Sequence, residues 1–230
     1  MRAPLSIVIP TLNAGEELPG ALACLMSGVE AGLVRELVVT DGGSTDGTVA
    51  LAEEVGAEMI TGSPGRGGQI ARGVVASKGD WILILHADTQ LGEGWVEATE
   101  RLMARAASGE TCAGYFRLRF RAKGMMAGVT AGWANLRSRL FGLPYGDQGL
   151  VLPRVLYEEV GGMPDMPLME DVAIARRLRG RLVALDAEAA TSAARYQATG
   201  WVRRGARNLW TLARYMMGAD PKALARAYRR

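Results

Sequence analysis

The chain is poor in histidine and cysteine: among 230 residues there are one histidine and two cysteines. Cys24 and Cys112 lie far apart in apolar company, without metal-type spacing. They cannot build a disulfide framework, and two reduced thiols suit a cytoplasmic protein. Strong charge is missing as well. The formal net charge is only +3. Outside the basic C-terminal end the chain is near neutral and carries no recognised nucleic-acid-binding module, so nucleic acid is not an expected partner. A membrane span needs about 20 apolar residues, and the uncharged stretch 124–136 falls short. The first residues lack the charged and apolar regions of a secretory signal. The expectation is a soluble cytoplasmic protein that at most sits on the inner membrane surface. Internal repeats and low-complexity linkers are absent.

What is present is apolar and glycine-rich. Hydrophobic residues make up 49% and glycines number 30, enough for one compact domain with many tight turns. Short β-branched runs alternate with helical patterns through the first half. Strands are predicted at 5–10, 33–41, 57–62 and 81–88, and helices at 16–27, 45–55 and 67–77, the second capped by Ser44 or Thr45. Continuous apolar strands separated by helices imply a mostly parallel sheet covered on both faces, with ligands at the carboxyl ends of the strands. Past about residue 110 the pattern changes. A half-buried strand is predicted at 111–122, a helix at 124–140, a strand at 148–153, short helices at 154–160 and 170–179, and a last short strand at 182–186. From Thr199 the chain reads as helical and basic, with eight Lys/Arg against one Asp.

Polar residues gather at the predicted strand ends. "VVTDGGSTDGT" places Asp41 at a strand end, able to accept from a base or ribose. Gly42 and Gly43 would let a flat ring approach. "GSPGRGGQIARG" offers glycines and Arg66 to an anion, with Gln69 following. It is neither a Walker loop nor a dinucleotide fingerprint. "WILILHADT" ends a strand in His86, Ala87 and Asp88, and alternation sends positions 86 and 88 to one side. Asp88 is a hard oxygen ligand. His86 is open to three readings: a second ligand, a donor to phosphate, or a packing residue. "PLMEDVAIARRL" opens a helix with Glu170 and Asp171, where acidic residues are also favoured by the helix dipole.

Four ordered motifs, "IPTLNAGEEL", "VVTDGGSTDGT", "WILILHADT" and "PLMEDVAIARRL", resemble those of the family 2 glycosyltransferases, nucleotide-sugar-dependent enzymes of GT-A fold. "HAD" and "GDQGLVLPR" are more similar to a bacterial branch of small, single-domain members than to the polymerising synthases. The resemblance implies a GT-A domain over 1–198, with a nucleotide-binding half (1–110) and an acceptor-binding half (111–198), followed by basic helices over 199–230. It implies nucleotide contacts from Pro10, Thr11, Asn13, Glu16, Asp41, Gly42, Arg66, Gln69 and Ala87. Gly42 stands where the family usually has a second aspartate. It implies Mn2+ or Mg2+ at Asp88, with His86 in place of the first aspartate of an Asp-x-Asp motif. Asp171 would be the general base of an inverting transfer, with Glu170 beside it. Tyr145, Gly146, Asp147 and Gln148 would line the donor-sugar or acceptor pocket, with Asp147 and Gln148 meeting sugar hydroxyls; a tight turn before the strand is the other reading of Tyr145 and Gly146. The donor would be a nucleoside diphosphate sugar, UDP by family frequency, and the acceptor is unspecified. Two other readings remain at this stage: a nucleotide-sugar-binding protein that has lost catalysis, and a nucleotidyltransferase.

In the basic end, Val202, Ala206, Leu209 and Ala213 share a helical face, and most arginines lie elsewhere. Packing of that apolar face on the domain, leaving a solvated basic face, is the plainer expectation. Peripheral contact with an anionic membrane through the basic helix is one alternative, and a contact from Arg195 or Arg203 to a phosphate of donor or acceptor is another.

Overall fold

The computed structural model describes residues 3–229. Four parallel strands open the fold: β1 (Leu5–Thr11), β2 (Val34–Asp41), β3 (Glu58–Thr61) and β4 (Trp81–Ile84). The crossovers are α1 (Leu18–Glu30), α2 (Thr48–Glu54) and α3 (Arg66–Ala76). Both faces of β1 are apolar because both are covered. Leu5, Ile7 and Ile9 enter one core with Leu83, Leu85 and Phe116, while Val8 enters another with Ile82, Ile84 and Leu152. Each such side chain, fully buried, contributes about 1.5–3 kcal/mol.

The end of the first half departs from expectation. β4 stops at Ile84, so His86 and Asp88 lie beyond it in a turn closed by the Thr89 N–H on the His86 carbonyl (3.1 Å). A short β5 (Thr89–Leu91) and a helix α4 (Trp95–Ala107) follow, neither of which the sequence reading delimited. The start of α2 also differs. Asp46, not Ser44 or Thr45, accepts the Thr48 N–H (3.0 Å), because Ser44 is turned back onto Asp41.

The second half comprises β6 (Ala113–Phe120), α5 (Met125–Phe141), β7 (Leu150–Pro153), α6 (Arg154–Glu159), α7 (Glu170–Arg177) and β8 (Leu182–Thr191). β8 is twice the expected length because β6 pairs with it from Leu182 to Thr191 and β5 pairs with its last residues, Ala189 to Thr191, on the other edge. The sheet order is β3-β2-β1-β4-β7-β6-β8-β5. β7 runs antiparallel to β4 and β6, and β5 antiparallel to β8, while β6 and β8 are parallel, so the sheet is mixed, with parallel pairing among β1 to β4 and again between β6 and β8.

The chain ends in α8 (Ala194–Thr199), α9 (Trp201–Met216) and α10 (Pro221–Arg229). An aromatic trio ties this appendage to β6: Phe120, Tyr196 and Trp201 have ring centroids 4.9–5.1 Å apart. Each such pair adds about 0.5–1.5 kcal/mol beyond its burial. The face that α9 presents inward is not the expected one. Val202, Ala206, Leu209 and Ala213 are all exposed, and Arg204, Asn208, Thr211 and Leu212 turn inward. The third core cluster is already filled by the α5 alanines, Leu118, Phe120 and the trio. The inner side of α9 therefore meets a polar cleft.

Candidate active site

The loops after β1 and β2 are knitted together by side chains expected to be free. Asp41 is 1% exposed. It accepts from Thr11 Oγ1 (2.9 Å), Gly43 N–H (2.8 Å), Ser44 N–H (2.7 Å) and Ser44 Oγ (2.5 Å). Burial alone would raise its carboxyl, but these hydrogen bonds hold it below the ordinary value. Gln69 is buried too. Its Nε2 donates to the Thr11 and Thr40 carbonyls (both 2.7 Å) and its Oε1 accepts the Gly65 N–H (3.1 Å). Both donors are spent on the backbone, so Gln69 locks β1 to β2 instead of facing outward for a nucleotide. Gly42 is walled in as well, since a Cβ there would stand 3.1 Å from Pro64 and 3.2 Å from Gln69. Ala87 has its methyl in the core. Pro10 is half-buried and Thr11 buried, while Asn13 and Glu16 are exposed. Asn13, with φ 50°, receives the Thr45 N–H on Oδ1 (2.9 Å) and donates its own N–H to Ser44 Oγ (2.7 Å).

At the end of β4 the turn, not strand alternation, gathers three groups. Ligand atoms of His86, Asp88 and Asp147 lie within 4.8 Å of one another. His86 Nδ1 is 2.8 Å from Asp147 Oδ1. Asp147 lies in the 3-10 turn Gly146–Gln148, whose first residue presses on the imidazole. A Cβ on Gly146 would sit 2.5 Å from His86 Cε1 and 2.7 Å from Nε2, a close approach that glycine permits. Burial pushes the Asp88 carboxyl up, and Asp147 adds to it. Burial would do the same to Asp147, but the hydrogen bond to His86 and the charges of His86, Arg66 and Arg195 hold it down at about 2. Two neighbouring carboxyls are thus driven in opposite directions.

The helix α7 brings the other acidic pair. Met169, in the left-handed region at φ 70°, turns the chain so that Glu170 and Asp171 open the helix. Glu170 is 2% exposed and stands 3.3 Å from Arg66 Nη1. Burial, then Asp171, pushes its carboxyl up, and Arg66 opposes them. Asp171 Oδ2 accepts the Gly146 N–H (2.9 Å). Arg66 therefore bridges the first half to α7. The contact is close because Gly67 lies against the loop before α7, where a Cβ would be 2.1 Å from the Pro164 carbonyl.

Gln148, expected at a sugar hydroxyl, is fully buried. Its Oε1 accepts from Ser138 Oγ (2.7 Å) and Tyr145 N–H (3.0 Å), and its Nε2 donates to the Phe116 carbonyl (3.0 Å). It holds the 3-10 turn to β6 and α5 and has no face toward the cleft.

Arg66, Asp88, Asp147, Glu170 and Asp171 line one cleft of about 120 Å³. Tyr145 and Arg195, both read from the sequence as pocket or phosphate contacts, line it too, together with residues outside the sequence-derived set: Arg137, Tyr196, Arg204, Asn208 and Tyr228. One signal in the sequence pointed to Arg137. It falls on the helical face of Ala127, Ala131 and Ala134, where an arginine has no reason to be buried unless it is used. Nothing local marked Arg204 or Tyr228. Pro10, Asn13 and Glu16 are not in this cleft. Asn13 and Glu16 border a separate shallow depression with Asp46 and Leu51.

The profile of Glycosyl transferase family 2 matches residues 6–129. Glucosyl-3-phosphoglycerate synthase of Mycolicibacterium paratuberculosis is 33% identical over 93 residues, 36% of this chain and 28% of that protein. A PGL/p-HBAD biosynthesis glycosyltransferase of Mycobacterium bovis is 38% identical over 101 residues, 40% of this chain and 39% of that protein. The chain thus spans well under half the length of these curated relatives. Among solved structures, Mycobacterium tuberculosis glucosyl-3-phosphoglycerate synthase with Mn2+ and UDP-Glc superposes at TM-score 0.56 and 20% identity, over 82% of this chain and 69% of that one. S. aureus TarS superposes at TM-score 0.59 and 15% identity, over 94% and 66%. These likenesses are in fold: a mixed, curled sheet flanked by helices, the GT-A arrangement.

Proposed function

The chain belongs to glycosyl transferase family 2, and from that premise we propose that it transfers a sugar from a nucleoside diphosphate sugar, with UDP as the nucleotide, to an acceptor hydroxyl with inversion and the help of Mn2+ or Mg2+. One observation carries this reading. The groups such a transfer needs, a cation-type cluster, an arginine and a carboxylate at a helix start, converge on one cleft at the carboxyl end of the parallel strands. The Mn2+ and UDP-Glc held by the M. tuberculosis enzyme support the choice of cation and nucleotide.

The donor set fits a hard divalent cation: two carboxylates and an imidazole within 4.8 Å, with Asp88 pushed up by burial and then by Asp147. Asp88 and Asp147 are the proposed ligands. The ring edge of His86 that carries Nε2 abuts Gly146 while Nδ1 faces Asp147, which favours His86 as the group that orients Asp147. Such a cation, when bound, neutralises charge on the departing diphosphate. Arg66, steadied by Glu170, offers a guanidinium to the same phosphates. Asp171 is the proposed base. The Gly146 N–H fixes its carboxylate beside the cleft, where it takes the acceptor's proton as that oxygen attacks. Asn13 and Glu16 remain proposed nucleotide contacts, from the separate depression they border. Asp41 acts from behind by shaping the loop.

Partner contact extends to a membrane surface in this reading. No helix among the described residues is long and apolar enough to cross a membrane. However, α9 exposes Val202, Leu209 and Trp210 with Arg203 beside them, a surface suited to lying on anionic lipid.

The test is thermal stabilisation by UDP, GDP and CDP, each with and without Mn2+, in wild type and in Asp171→Asn. UDP with Mn2+ raises the Tm of both proteins by mass action, and Asp171→Asn hydrolyses or transfers no sugar from a UDP-sugar. Absence of any nucleotide response sinks the transferase reading. Turnover retained in Asp171→Asn removes Asp171 as base.

A further inference from the structure

The cleft has two electrical sides. Toward the sheet stand Asp88, Asp147, Glu170 and Asp171, balanced by Arg66. Toward α5, α8 and α9 stand Arg137, Arg195 and Arg204, and none of the ion pairs among the described residues includes any of the three.

Arg137 is the most unusual of them. It is 3% exposed, and its Nε and Nη1 have no hydrogen-bond partner. Only Nη2 is spent, on the Leu143 carbonyl (2.5 Å), and the guanidinium lies over the Tyr145 ring at 3.5 Å. A buried cation with open donors is costly unless a ligand completes it. Burial accordingly pushes the Arg137 guanidinium below its ordinary value. Arg204 is braced from the other side. It lies over the Tyr228 ring (4.6 Å) and donates to Tyr228 Oη (2.6 Å). Tyr228 Oη in turn donates to Asn208 Oδ1 (2.8 Å), and Asn208 Nδ2 donates to Tyr196 Oη (3.0 Å). This network fixes Arg204 without neutralising it. Arg195 is exposed along the same cleft.

We propose that Arg137, Arg195 and Arg204 form a subsite for an oxyanion, phosphate or carboxylate, carried by the acceptor. Planar guanidinium forks suit both groups. The donor's diphosphate is already served by Arg66 and the acidic cluster; Arg195 is close enough for its charge to reach Asp88 and Asp147, while Arg204 is held by Tyr228 on the appendage. Naming the acceptor as carrier rests on the transferase reading; the anion site itself rests on the three arginines.

Calorimetric titration of the full chain with inorganic phosphate, and separately with acetate, tests this. Each is run alone and again with saturating UDP and Mg2+, which fills the donor side. At least one anion binds wild type in both conditions. Arg195→Gln and Arg204→Gln each weaken it about tenfold, the loss expected for a hydrogen bond to a charged group, and leave UDP affinity unchanged. Arg137→Lys weakens it as well if that protein folds; the other two variants decide the matter without it. Binding of neither anion, or equal binding by the variants, overturns the subsite. Loss of anion binding once UDP is present, or weaker UDP binding by the variants, assigns the arginines to the donor and also overturns it. Failure of UDP itself to bind sinks the transferase reading alone, because the titration without UDP still reads the arginines.

Discussion

At the residue scale, the polar side chains of this protein divide into those spent on the fold and those left to act. Asp41 is spent. Its depressed carboxyl makes a contribution to stability that is fully present above the unfolded-state value, about 4. That contribution is lost as pH falls through the lower folded-state value. Asp41→Asn keeps the shape but surrenders charge-assisted bonds to two N–H groups and two hydroxyls. It is expected to lower stability at pH 7 by about 1–3 kcal/mol. Urea unfolding between pH 7 and pH 3 should show wild type losing more stability than the variant. Parallel curves would mean that Asp41 is not the titrating group. In the proposed reading His86 orients Asp147. His86→Ala should reduce kcat/KM about 10–100-fold while turnover still requires Mn2+, whereas Asp88→Asn should abolish the response to Mn2+. Loss of that response in His86→Ala would make the imidazole a ligand.

At the element scale, the decisive feature is the orientation of α9. A helix normally buries its apolar stripe, and the stripe of Val202, Ala206, Leu209 and Ala213 invited that expectation. The space it would have filled is occupied by α5 and the Phe120–Tyr196–Trp201 trio, so the polar stripe faces the cleft and the apolar one faces out. An outward apolar stripe flanked by arginine is the surface through which the protein should meet anionic lipid. In vesicle flotation with phosphatidylserine, wild type should rise with the lipid. The double variant Val202→Glu/Trp210→Glu should remain at the bottom with its fold intact by circular dichroism. Equal flotation of the two would remove α9 as the contact.

At the scale of the whole molecule, the site is a seam between halves. Arg66 comes from the first half and Glu170 from the second, 104 residues on, and the glycine at 67 lets α3 and the loop before α7 close to backbone contact. The appendage completes the cleft by supplying Arg204, Asn208 and Tyr228. Much of this was legible in the sequence. Continuous apolar runs and helical stripes are local signals. They located the strands now seen as β1 to β4, the helices between them and the gathering of polar residues, Asp88 among them, at the strand ends; Glu170 and Asp171 came to the site only through the family resemblance. The short β5 and the extension of β8 were not legible, because their strand pairing is supplied by distant partners; α4, which buries Trp95, Val96, Thr99 and Leu102 at helical spacing, carried a local signal that the reading passed over.

The sequence by itself determined the order of elements and the set of chemical groups available at the strand ends, since both follow from local periodicity and composition. Only the tertiary structure decided how those groups are used. Asp41, Gln69 and Gln148 are consumed by backbone and side-chain partners brought from up to 58 residues away. Arg137, Arg195 and Arg204 are drawn to one wall by helices that have no sequence relation to each other. A hydrogen bond or an unpaired charge is a property of two places in space, and burial sets its worth.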